Sequence, residues 1–201
     1  YDEKNMTGNL LEKTSDLVAL HPLRDETYDF VRGLFEEVSA LFPDNYIHLG
    51  GDELNGPCIE TDPLVAEYAR KNGEGWKDKL QGEFTERALK TIVAAGKKPI
   101  FWDESVSMPI DFPRGSVIEW WSFYKRTSQD VPRLTSEKKA KLLTTKDWYL
   151  DEGNKDWWSR YTMPKLMKPN GPLIGGEACA WTEHAGIWNV EDMIFRHLPT
   201  V

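Results

Sequence analysis

The adjacent carboxylates Asp52 and Glu53 follow Gly50-Gly51 and the short apolar run Tyr46-Ile47-His48-Leu49, and no other stretch of this sequence is better suited to chemistry. In a regular strand neighbouring side chains point to opposite faces, so consecutive acids reach one site only where the backbone leaves the extended region. Two glycines just ahead of them permit such geometry. A solvated loop with a helix-capping acid is the competing reading, and it suits an isolated Asp-Glu dipeptide better than one launched from a buried strand. Glycoside hydrolysis uses paired carboxyl groups: one protonates the departing oxygen while a second group meets the cationic sugar carbon from the other face. Adjacent residues cannot easily flank a bond. Either a distant carboxylate is the nucleophile or the substrate supplies its own.

The elements that must position these acids alternate. Thr27 to Phe42 carries apolar residues at helical spacing and is stopped by Pro43. Asp62-Pro63 is an N-cap with proline at the first helical position, and Gly73 closes that helix. Another helix is expected from Trp76 to Ala95, ending at Gly96. Short apolar strands are expected at Tyr46–Leu49, Pro99–Trp102, Ser116–Trp120, Lys141–Thr144 and Pro172–Gly175. Runs of this kind, separated by helices or long excursions, suit a parallel sheet buried on both faces, hence an α/β fold. Polar or aromatic residues follow every strand, which matches a barrel whose chemistry sits at the C-terminal strand ends. A doubly wound open sheet places ligands similarly.

With 201 residues and 40% hydrophobic content, the chain is sized for one domain or part of one. The net charge of −8 argues against nucleic acid, which requires clustered Lys and Arg. No apolar stretch approaches the ~20 residues that cross a bilayer. Asn5-Met6-Thr7 is a glycosylation sequon, consistent with a secretory route. His21, His48, His184 and His197 lack metal-ligand spacing, so neither metal nor cofactor is expected. Nine tryptophans are an excess. Indoles fill cores well, but they also cover apolar sugar faces, and several here stand at strand ends.

The ordered blocks His48-Leu49-Gly50-Gly51-Asp52-Glu53, Trp102 with Glu104, Val117-Ile118-Glu119-Trp120-Trp121, Trp148-Tyr149-Leu150-Asp151 and Gly175 through Glu183 resemble family 20 glycoside hydrolases of the β-N-acetylhexosaminidase type. The resemblance covers nearly the whole chain and is closest to the lysosomal or secreted eukaryotic branch. It implies a (β/α)8 TIM barrel, of which residues 1–201 would hold roughly strands 4 to 8, and a terminal N-acetylhexosamine glycan as substrate. It also implies roles by position. Glu53 would be the general acid and later base, and Asp52 would hold the acetamido N–H. Tyr149 would bond the acetamido oxygen. Trp102, Trp121 and Trp181 would form the aromatic pocket, Asp151 and Glu183 would accept from sugar hydroxyls, and His48 would support the acid pair. Glu104, Glu119 and Glu177 are read as lying outside substrate contact, with Glu119 and Glu177 satisfying buried backbone. Trp120 would pack outward, Cys179 would be a buried free thiol, and Cys58 would pair with a cysteine upstream of this chain.

The family's sugar-clamping arginine has no counterpart here, so the chain is expected to be a fragment completed by the missing barrel segment of the same protein. A homodimer and a lysosomal or secreted location are further expectations of the resemblance. Two other readings compete. One is a carbohydrate-binding protein that keeps the aromatic pocket but has lost turnover. The other is a retaining glycosidase with Glu183 or Asp103 as nucleophile, about 5–5.5 Å from Glu53.

Overall fold

A computed structural model describes residues 20–54, 57–121, 130–146, 148–151, 158, 160–162, 173–182 and 185–197. Within them lie strands β1 (Tyr46–His48), β2 (Lys98–Trp102), β3 (Val117–Trp120), β4 (Lys141–Thr144) and β5 (Leu173–Gly176). They form one sheet in sequence order, and β2 through β5 pair in parallel. The helices are α1 (Asp25–Leu41), α2 (Pro57–Thr61), α3 (Pro63–Asn72), α4 (Trp76–Ala94), α5 (Asp130–Glu137) and α6 (Val190–His197). A 3-10 turn, Asp103–Ser107, follows β2. Parallel neighbours need crossovers; α2 to α4 lie between β1 and β2, and α5 lies between β3 and β4.

The chain divides into two compact units, the first comprising Tyr1–Ile47, Gly51–Pro99 and Ser107–Asp111. Here α1 starts two residues ahead of the expected Thr27, with Asp25 and Glu26 in its first turn, where the helix dipole favours acids. Asp62 caps α3 by accepting from the backbone N–H groups of Leu64 at 2.8 Å and Val65 at 3.2 Å, as its position beside Pro63 predicts. Val31, Val65, Leu80, Ile92, Met108 and Ile110 are buried. Gly82 of α4 lets Ile110 in: a methyl built there would lie 3.0 Å from Ile110 Cγ2. The Arg87 guanidinium lies 3.3 Å from the centre of the Tyr28 ring and bonds Asp25 at 2.8 Å, tying α4 to α1. Half of the apolar stripe of α1 does not pack as its spacing suggested, because the described residues leave Phe30, Leu34 and Leu41 exposed.

The second unit comprises His48–Gly50, Ile100–Val106 and Phe112–Val201. The register aligns Phe101 with Ile118 and Ile118 with Leu142, all on one sheet face and almost inaccessible. Burial of each such side chain stabilises the unit by about 1.5–3 kcal/mol. Phe112 stacks on Phe101 at 4.9 Å. Trp120 belongs to this covered face as strand alternation requires, with Lys146 Nζ 4.6 Å from its ring centre. The other face carries Trp102, Glu119, Leu143 and Gly175, aligned in that order. Leu143 is only half-buried and Gly175 is exposed, so among the described residues this face is incompletely covered toward β5.

Candidate active site

The turn that bears Asp52 and Glu53 leaves the extended region as the glycine pair led us to expect. Gly51 has φ +100°, and Glu53 itself has φ +45°. A non-glycine residue held in the left-handed region costs about 1–2 kcal/mol, and strain of that kind concentrates at functional sites. A methyl on Gly51 would meet only Met108 Cε at 3.8 Å, so backbone angle, not space, calls for glycine there. Gln81 of α4 donates from Nε2 to the Gly51 carbonyl at 2.8 Å and fixes the turn from beneath. Asp52 is half-buried and Glu53 exposed. Gln81 escaped the sequence reading because nothing local marks a glutamine as a turn anchor.

In the second unit the aromatic residues expected to face a sugar do converge. Trp102 ends β2, Trp121 follows β3, and Trp181 comes shortly after β5. The Trp102 ring centre lies 6.4 Å from that of Trp121 at 73°, and 6.1 Å from that of Trp181 at 45°. The indoles are thus inclined to one another in tilted and edge-on pairs, arrangements that aromatic rings favour over a flat face-to-face stack. Trp121 is fixed by two acids just after β2. Asp103 Oδ1 accepts its backbone N–H at 3.1 Å, and Glu104 Oε2 accepts its indole N–H at 2.9 Å. Asp103 is fully buried and engaged in this way, which leaves it badly suited to serve as a nucleophile.

Tyr149 follows β4 and bridges in parallel to Cys179, with Leu150 N–H donating to the Cys179 carbonyl at 2.7 Å and Cys179 N–H to that of Trp148 at 3.1 Å. Burial pushes the pKa of its hydroxyl well up, so it stays protonated and able to donate. Asp151 Oδ1 accepts the Trp181 backbone N–H at 3.2 Å, seating the indole. Cys179 is free but half-buried, less enclosed than expected, and burial still raises its thiol pKa to about 12.

His48 stands against Trp102, ring centres 4.6 Å apart. Its Nδ1 accepts the Gly50 backbone N–H at 2.9 Å. Its Nε2 lies 3.1 Å from Glu119 Oε2, close in distance but not aligned as a hydrogen bond, and Glu119 Oε1 has no partner. Among the described residues Glu119 therefore binds no buried backbone group, contrary to expectation; its register opposite Trp102 sets it on the face where the imidazole lies. Glu177 is exposed overall and likewise binds no backbone group in the described residues. Partial burial, and then the charge of Glu119, hold its carboxyl above the usual range. Glu183, Asn5 and the side chain of Cys58 lie outside the described residues. Among those described, no group of three His, Cys, Asp or Glu could hold a metal, and no helix is long and apolar enough to cross a membrane.

Parallel strands followed by indoles, a buried tyrosine and acids place these groups at the C-terminal strand ends, where α/β barrels carry their chemistry. The chain belongs to glycosyl hydrolase family 20: the profile of that family's catalytic domain matches residues 2–201. It is 32% identical to human β-hexosaminidase subunit β over 192 residues, which is 90% of this chain and 34% of that protein. It is 28% identical to bovine β-hexosaminidase subunit α, over 85% of this chain and 34% of that one. The chain thus spans about a third of the length of these relatives. Among solved structures, Flavobacterium johnsoniae chitobiase superimposes with a TM-score of 0.74 at 24% identity, covering 89% of this chain and 28% of that one. A family 20 exo-β-N-acetylglucosaminidase from Vibrio harveyi, in complex with N-acetylglucosamine, gives 0.68 at 22% identity over 89% of this chain and 31% of that one. These likenesses bear out the barrel-type fold, with the five strands as one part of it.

Proposed function

We propose that the protein containing this chain is a retaining β-N-acetylhexosaminidase that removes terminal β-linked N-acetylglucosamine or N-acetylgalactosamine with the substrate's own acetamido oxygen as nucleophile. The observation that carries the reading is the cluster of Trp102, Trp121 and Trp181 with the protonated Tyr149 hydroxyl beside it. An aromatic cluster with a protonated hydroxyl beside it suits an acetamido group: apolar surface for the methyl and a hydrogen bond for the carbonyl oxygen. Kinship with chains named β-hexosaminidase supports the same substrate class.

In this reading Glu53 protonates the glycosidic oxygen and later activates water. Asp52 accepts the acetamido N–H and makes its oxygen a better nucleophile, while Tyr149 sets that oxygen's direction. Asp151 and Glu183 accept from the outer hydroxyls, and His48 supports the turn. Holding the acetamido group in an attacking pose converts a bimolecular step into an internal one. Residues 1–201 would form part of one catalytic barrel domain, completed by the rest of the same protein. A homodimer and a lysosomal or secreted location belong to this reading, and both rest on resemblance to the eukaryotic branch.

Glu53→Gln in the full-length protein tests the assignment. Turnover of a disaccharide should fall by about 10²–10⁴, and that of a nitrophenyl glycoside, whose leaving group needs little protonation, should fall far less. Equal losses would remove Glu53 as the acid.

A further inference from the structure

We infer that Glu119 is a positioning residue, which acts through His48 on the turn that presents Asp52 and Glu53; this rests on the reading of Glu53 as the acid. His48 Nδ1 accepts the Gly50 N–H at 2.9 Å, so that nitrogen carries no proton, and the imidazole's proton sits on Nε2. Nε2 is the atom that lies 3.1 Å from the Glu119 carboxylate. The tautomer that holds Gly50 is thus the one that Glu119 attracts.

Burial supplies the driving force. Glu119 is 1% exposed, and one of its oxygens is without a partner. A buried carboxylate left unpaired costs far more than a paired one, so a small rotation of the ring that aligns Nε2–H with Oε2 is favoured. That contact locks the ring. The ring in turn bonds Gly50, the residue from which the chain runs on into Gly51, Asp52 and Glu53, and packs on Trp102 at 4.6 Å. The third charge near the pair is Glu177, whose carboxyl interacts with both Glu119 and His48. Its repulsion of Glu119 favours the same His48 contact.

The test compares Glu119→Leu and Glu119→Gln in the full chain. Gln keeps an oxygen for Nε2–H, and Leu removes it. Misplacing a catalytic group by a fraction of an ångström to an ångström is felt at about ten- to a hundredfold in rate. Glu119→Leu should therefore lose that much kcat on a disaccharide, several-fold less on a nitrophenyl glycoside, with KM nearly unchanged. Glu119→Gln should stay within about threefold of the parent. A merely structural role would lower both substrates alike by removing folded enzyme, and that outcome overturns the inference, as does a Gln variant as impaired as Leu. Should Glu119→Leu not fold, the parent still decides. Long-range nitrogen–proton correlation must show His48 protonated on Nε2 alone, and a proton on Nδ1 overturns the inference. The Glu53→Gln variant separates the two levels. Leaving-group dependence there with none in Glu119→Leu sinks only the role of Glu119, whereas its absence in both sinks the assignment of the acid.

Discussion

Replacing Gly51 by alanine isolates the backbone requirement of the acidic turn, because the added methyl finds no atom nearer than Met108 Cε at 3.8 Å. No steric term is left, and the cost is conformational. At φ +100° an L residue lies outside even the left-handed well, which costs about 1–3 kcal/mol. Against this, losing glycine's freedom in the unfolded chain returns about 0.4–1 kcal/mol. The net expectation is destabilisation of about 1–2 kcal/mol, or, if the turn shifts to relieve the strain, a fall in kcat of comparable free energy, about five- to thirtyfold. Gly33 is the control. It sits mid-way along α1 with nothing within 4 Å of a built methyl, so Gly33→Ala should stabilise the protein by roughly 0.8–1 kcal/mol. Urea unfolding and kcat measured on both variants read the pair. Opposite signs are required; a Gly51→Ala protein as stable and as active as the parent would show that the turn does not need the conformation described.

Two further expectations concern the acids around the aromatic cluster. Glu104→Leu leaves the Trp121 indole N–H without its acceptor, an unpaired donor worth about 1–3 kcal/mol, and isothermal titration with N-acetylglucosamine should show weakened binding while Glu104→Gln binds more nearly as the parent does. Glu177 has its pKa raised in the fold above the ordinary 4.5. A raised carboxyl favours the folded state in acid and loses that contribution as pH rises through the folded value, so Glu177→Gln should gain stability over the parent toward neutral pH and lose the advantage in acid, as thermal melts across pH will show.

Local features of the fold were readable because their causes are local. The Asp62 cap needs only its own side chain and Pro63, and Lys141–Thr144 is bounded as its apolar run indicated. Helix α5 was not anticipated; its Pro132 stands in the first helical turn, where a proline removes no intrahelical bond. The Trp102, Trp121 and Trp181 cluster was legible through resemblance and strand-end position. What was not legible depended on distant chain: Glu104 under Trp121, Gln81 under Gly51 and Glu119 beside His48 are set by strand register and helix placement, which the sequence around each acid or amide does not encode. The left-handed angle of Glu53 is likewise invisible in residue type, since glutamate has no preference for it.

Turnover of a matched pair of β-glycosides, one with a 2-acetamido group and one with a 2-hydroxyl, on the same leaving group, tests the central reading most directly. If the acetamido oxygen is the nucleophile held by Asp52, Tyr149 and the three indoles, the 2-hydroxyl compound should react at least about a thousandfold more slowly, since it lacks the internal attack. Comparable rates for the two, or a covalent sugar ester trapped on Glu183 or Asp103, would contradict it.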